Sequence, residues 1–149
     1  MLRISATILL TVMLTACAIT FKGYEGEMKP DSEIAILSRS GFTQIVELDG
    51  IHIQSATRME YTRDNPLGLA YKAVEMMPGD HTVTAHYHCD GPKKWDFCTT
   101  GNYKFTLCFT AQAGHRYTVY SEVVDRYYGW IEDDESDQVI ADTNSSGCN

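Results

Sequence analysis

From Pro78 onward the chain alternates apolar and polar residues with a period of two. His81, Val83, Ala85, Tyr87 and Cys89 fall on one side of an extended chain, and Thr82, Thr84, His86, His88 and Asp90 fall on the other. Tyr103 to Ala111 repeats the pattern, with Tyr103, Phe105, Leu107 and Phe109 inward and Lys104, Thr106, Cys108 and Thr110 outward. This is the period of strands buried on one face, and no stretch beyond residue 17 sustains the 3.6-residue period of an amphipathic helix. Sheets of this kind must bury their apolar faces against each other.

Turn chemistry separates the strands. Thr43 to Leu48, Asp49-Gly50 and Ile51 to Gln54 predict a hairpin with a type I′ turn, because both central residues of that turn need positive φ. In that register Leu48 faces Ile51 and Val46 faces Ile53 on one side, and Glu47 faces His52 on the other, which accounts for His52 as a cross-strand charge partner. Pro78-Gly79 suits the centre of a type II turn. Further strands are expected at Glu33 to Leu37, Ala56 to Thr62, within Leu69 to Met77, at Tyr117 to Val124, and at Gly129 to Glu132 and Gln138 to Ala141 around an acidic turn. The sum predicts an all-β chain: a single antiparallel β-sandwich of about seven to nine strands.

The first residues are an address. Met1-Leu2-Arg3 is a positive end, Ile4 to Leu14 is mainly apolar, and the run falls short of the roughly 18 to 20 apolar residues a spanning helix needs. Leu14-Thr15-Ala16-Cys17 resembles the lipobox of bacterial lipoproteins, in which cleavage leaves the cysteine as a lipid-bearing first residue. The resemblance implies lipidation at Cys17, and Ala18, lacking the aspartate linked to inner-membrane retention, implies the outer membrane, facing the periplasm. Several acyl chains at about 0.8 kcal/mol per CH₂ make such an anchor nearly permanent. The expected organisation is a signal peptide over 1–16, a lipidated cysteine and tether over 17–30, the sandwich over 31–142 and a tail over 143–149.

Without residues 1–16 the chain keeps 11 basic and 20 acidic side chains, a net charge of −9. Such a surface repels phosphates, which argues against nucleic acid as a partner. Cys89, Cys98, Cys108 and Cys148 form an even set in an oxidising compartment and predict two disulfides. Spacing alone leaves three connectivities open. Strand parity favours Cys89 with Cys98 and Cys108 with Cys148, since Cys108 points away from the core, where a polar tail can reach it.

The segments Ile45 to Gly50, Met77 to Val83, Ala113-Gly114-His115-Arg116-Tyr117 and Trp130-Ile131-Glu132-Asp133 together resemble a group of small proteobacterial lipoproteins with a PEGA-like β-sandwich domain. The resemblance implies a compact sandwich on a lipid anchor and no particular activity.

The sequence has no Gly-x-Ser-x-Gly, His-Glu-x-x-His, phosphate loop or dinucleotide fingerprint, and an enzyme is not expected. His86 and His88 project from one strand face and offer two metal ligands, to which Asp90, His81 or His115 would have to add a third; a solvated strand face is the plainer expectation. Asp133 to Asp137 lacks calcium-loop spacing and reads as a charged hairpin turn. Tyr127, Tyr128 and Trp130 offer a glycan-stacking surface or else fill the core. Lys93, Lys94, Trp95 and Phe97, in the loop over 91–102, form the candidate partner-binding segment, with packing over a local disulfide as the alternative. The chain is expected to be a non-catalytic lipoprotein without cofactors that binds an envelope protein or supports an envelope assembly. The alternative is a periplasmic metal- or glycan-binding module.

Overall fold

The computed structural model describes residues 20–53, 73–88, 102–123, 125–145 and 148. Among these the chain is all-β apart from one 3₁₀ turn at Asp31–Glu33. The strands are β1 (Thr20–Lys22), β2 (Ala35–Arg39), β3 (Thr43–Leu48), β4 (Ile51–His52), β5 (Ala73–Met76), β6 (Gly79–His88), β7 (Asn102–Ala111), β8 (Arg116–Val123), β9 (Tyr127–Asp133) and β10 (Gln138–Asp142). They form a six-stranded sheet in the order β1-β5-β2-β8-β9-β10 and a four-stranded sheet in the order β4-β3-β6-β7. One core joins them: Leu37, Met76, Tyr117, Val119 and Ile131 from the first sheet pack with Leu48, Val83, Leu107 and Phe109 from the second. Each fully buried aliphatic side chain there contributes about 1.5–3 kcal/mol.

The alternation in β6 and β7 is observed over most of their length, with Val83, Ala85, Tyr87, Phe105, Leu107 and Phe109 buried, while Tyr103 at the start of β7 is exposed and Thr84 on the polar side is buried. The four-stranded sheet is antiparallel throughout. The six-stranded sheet departs from the expected antiparallel sandwich, because β1 pairs with β5 and β2 with β8 in parallel. The cause is connectivity. The chain passes between the sheets at β2–β3, β4–β5, β5–β6 and β7–β8, so the partners in these two parallel pairs come from distant segments and no hairpin dictates their direction. Among the described residues there are ten strands, the short β1 and β4 included.

The segment read as a tether contains β1, and Gly23 donates its N–H to Glu75 O at 2.8 Å, so the sheet begins ahead of residue 31. The hairpin turn is as expected, with Asp49 at φ 51° and Gly50 at φ 79°. Leu48 pairs with Ile51 and Glu47 with His52. The apolar side differs, however: the register of β3 on β6 shifts between Ile45 and Glu47, so Ile45 joins Leu48 in the core and Val46 does not. Gly79 has positive φ (134°), but the strands it joins lie in different sheets, making Pro78-Gly79 an inter-sheet corner.

The second corner, β7 to β8, turns at Gly114 (φ 80°), whose N–H bonds Ile34 O at 2.7 Å. The buried Tyr117 at the start of β8 reaches back and accepts the Gln112 N–H at 2.9 Å with its hydroxyl oxygen. This bond ties the start of β8 back to the corner that precedes it. Burial pushes the Tyr117 phenol up. Cys108 and Cys148 are disulfide-bonded across a separation of 40 residues, which ties the end of the chain to the outer face of β7. Cys89 and Cys98 lie outside the described residues, as do Cys17 and the strand expected at Ala56 to Thr62.

Candidate functional site

The β8–β9 hairpin sorts its aromatic residues by parity. Tyr117 faces Asp133, Val119 faces Ile131 and Ser121 faces Gly129 on the inner side; Thr118 faces Glu132, Tyr120 faces Trp130 and Glu122 faces Tyr128 on the outer side. The three residues expected as a glycan-binding set are thereby divided. Tyr127 turns inward and packs on Tyr103 (5.1 Å between centroids), Phe105 (5.2 Å) and Tyr87 (6.2 Å). Its hydroxyl is buried without a hydrogen-bond partner among the described residues, and burial pushes its phenol up. Tyr127 is a packing residue at one end of the core.

Tyr128 and Trp130 turn outward and gain a third ring, Tyr120. Trp130 stacks on Tyr120 at 5.2 Å and 11°, and on Tyr128 at 5.2 Å and 25°. All three are half-buried on the side of the sheet away from the core. Aromatic cross-strand pairs contribute about 0.5–1.5 kcal/mol beyond area burial, which holds the rings in place. Gly129, between Tyr128 and Trp130, points inward against Phe105: a Cβ there would lie 2.4 Å from Phe105 Cε2. The missing side chain lets the second sheet approach closely under the two outward rings.

Carboxylates surround the stack. Glu132 and Glu122 lie at its two ends on β9 and β8, and neither has a hydrogen bond or ion pair among the described residues. Asp134 accepts from Thr118 Oγ1 at 3.1 Å. Asp142 accepts from the Asn144 N–H at 2.7 Å and the Ser145 N–H at 2.8 Å. Burial raises the Asp142 carboxyl, but these hydrogen bonds outweigh it and hold the group below its ordinary value. The phenols register the same field. Tyr120 is pushed up by burial and then by Glu132, Asp134 and Asp137, and Tyr128 by burial and then by Asp142 and Glu122. Arg126 stands beside Tyr128 in an open groove lined also by Glu122, Asp125 and Asn144.

The other candidates are placed as follows. His86 and His88 lie in β6, where His86 pairs in register with Gln44 and Lys104, a cation beside the expected ligands. The residues weighed as a third ligand are engaged: His81 with Asp49 Oδ2 (2.6 Å) and Met77 O (2.6 Å), and His115 with Asp133 Oδ2 (3.0 Å). No group of three His, Cys, Asp or Glu side chains gathers among the described residues. Asp133 to Asp137 is the β9–β10 hairpin turn, with Asp137 at φ 54° and Asp133 accepting the Glu135 N–H at 2.9 Å. Lys93, Lys94, Trp95, Phe97 and Asp90 lie outside the described residues.

Tyr120 was not singled out from the sequence. Its partner on β9 is fixed by the length of the β8–β9 turn, which composition does not reveal. Only the alternation Thr118, Tyr120, Glu122 hinted at its direction. Compared with protein-family models, with curated proteins and with solved structures, the chain matches none.

Proposed function

We propose that this chain is a lipoprotein anchored through Cys17 to the outer membrane and facing the periplasm. In this reading a single β-sandwich domain, related to the PEGA-like group, acts without catalysis as a binding module in an envelope assembly. The observation that carries the binding role is the Tyr120–Trp130–Tyr128 stack on the outer face of the larger sheet. The core does not require these rings, since Ile131, Val119 and Tyr117 on the opposite side of the same strands supply it. Half-buried surface aromatics held rigid by neighbours lose little entropy on contact, which suits them to anchor a partner.

The test is crosslinking in intact cells with a photoreactive residue at position 120, and with one at position 106 on the outer face of the other sheet as the control. Adducts at 120 and none at 106 are expected, together with release of a Cys17→Ser variant from the membrane fraction. Adducts at both positions or at neither would count against the stack as the docking face. Glycan binding is a second reading, favoured by carboxylates beside Trp130 that can accept from sugar hydroxyls. It is weakened because the stacked rings spend their faces on one another, and a sugar needs a free face.

A further inference from the structure

The occupant of this face follows from where its free charges stand, on the premise that the stack is the docking site. Glu132 lies opposite Thr118 and Glu122 lies opposite Tyr128, so along the strands the two carboxylates are offset by four positions, from 118 to 122. At about 3.4 Å per residue this is roughly 13–14 Å. The Tyr120–Trp130 pair fills the row between them. Asp134 and Asp142 add negative charge but already accept hydrogen bonds, whereas Glu122 and Glu132 have none among the described residues. The pattern along the strands is therefore acid, ring pair, acid, with Arg126 beside the Glu122 end, on a chain of net charge −8.

We infer that the outer face of β8 and β9 docks an extended, basic segment of a partner protein, with two cationic side chains four residues apart meeting Glu122 and Glu132 and an apolar residue between them lying against Trp130. Extended chain matches the spacing of the carboxylates, whereas a helix would bring residues four apart to about 6 Å. Arginine suits both ends, because a planar guanidinium pairs with a carboxylate through two parallel hydrogen bonds. Burial raises the Tyr120 and Tyr128 phenols first, and the carboxylates that add to it supply the negative field that attracts such a segment. Acidic peptides and anionic glycans are repelled.

The full-length protein in detergent is titrated against a fluorescent nine-residue peptide with arginines at positions 3 and 7, valine at 5 and threonine elsewhere. Controls are the same composition with adjacent arginines, the glutamate counterpart, and N,N′,N″-triacetylchitotriose. Binding should weaken with added salt on the scale of a 10 Å screening length at about 0.1 M. Glu122→Gln and Glu132→Gln should each weaken it roughly threefold, the scale of exposed ion pairs. Trp130→Ala should weaken it at least about tenfold, and Trp130→Phe less, with thermal melts confirming that each variant folds. Equal affinity for the adjacent-arginine or glutamate peptide, or insensitivity to both glutamine variants, overturns the inference. Binding of chitotriose in place of the peptide, lost in Trp130→Ala, overturns the basic partner while leaving the stack a binding face. No binding of either probe, with no crosslink at position 120, removes both.

Discussion

Asp49, the first residue of the β3–β4 turn, holds the start of β6 through both carboxylate oxygens: Oδ2 meets His81 Nδ1 at 2.6 Å and Oδ1 accepts the Thr82 N–H at 2.8 Å. The Asp49 N–H in turn bonds Thr82 O at 2.9 Å, and the other ring nitrogen of His81 meets Met77 O at 2.6 Å. The Asp-Gly turn and the Pro-Gly-Asp-His corner are thus halves of one clasp between a hairpin and an inter-sheet crossing.

That clasp predicts energetic coupling between residues 32 positions apart. Asp49→Ala should destabilise the domain by about 1–2 kcal/mol, since it also leaves the Thr82 N–H without its side-chain acceptor. A double-mutant cycle with His81→Phe should give a coupling of about 1 kcal/mol in urea unfolding, discounted for the exposure of Asp49. Strict additivity would mean that the contact carries no energy.

Gly129 sets the distance between the sheets beneath the stacked rings. Gly129→Ala places a methyl 2.4 Å from Phe105 Cε2 and should cost about 1–3 kcal/mol, the scale of overpacking. Adding Phe105→Leu should recover part of that loss in a thermal melt. A melt unchanged by Gly129→Ala alone would place the Phe105 ring elsewhere.

Tyr117 predicts a cost out of proportion to one atom. Tyr117→Phe removes the acceptor of the Gln112 N–H at the β7–β8 corner and should destabilise by about 1–2 kcal/mol with little change in core volume. Equilibrium unfolding of the two proteins decides it, and equal midpoints would show the corner bond to be dispensable.

Legibility followed the range of the interaction. The inward faces of β6 and β7, the positive φ of Asp49 and Gly50, and the outward Cys108 are consequences of period and turn chemistry, which act over a few residues. The parallel β2–β8 pair, the Val46 irregularity and the crossing at Pro78-Gly79 depend on which distant segment arrives alongside, and nothing local encodes that. The stack divides in the same way. Parity separates Tyr127 from Tyr128 and Trp130, but the contact with Tyr120 required the register of β8 on β9.

Asp133 predicts a pH dependence. Burial raises its carboxyl, and the Glu135 and Ser136 N–H groups and His115 outweigh that, so its folded value lies below its ordinary one. A carboxyl lowered on folding contributes stability that is present above the unfolded value, near pH 4, and lost as pH falls through the folded value. Asp133→Asn should therefore destabilise the protein at pH 7 and flatten the loss of stability below about pH 4. Parallel pH profiles for the two proteins would remove the assignment.

The Cys108–Cys148 bridge gives the last prediction. Residues 143–149 carry no large apolar side chain, and among the described residues beyond the Asp142 turn the bridge is the attachment that brings Cys148 to β7. Closing a loop of 40 residues stabilises by about 3–4 kcal/mol in the chain-entropy model, so Cys148→Ser should lower the unfolding midpoint accordingly. The loss should exceed that from deleting residue 149 alone, which leaves the bridge intact. Cys108 is partly exposed beside Thr82, whose hydroxyl lies 3.4 Å from its sulfur, and a mild reductant should reach it without unfolding the core. Non-reducing peptide mapping is the direct check. A peptide joining Cys98 to Cys148, or a free thiol at Cys148 in protein from the oxidising compartment, would falsify the pairing and release the tail from the face of the sheet.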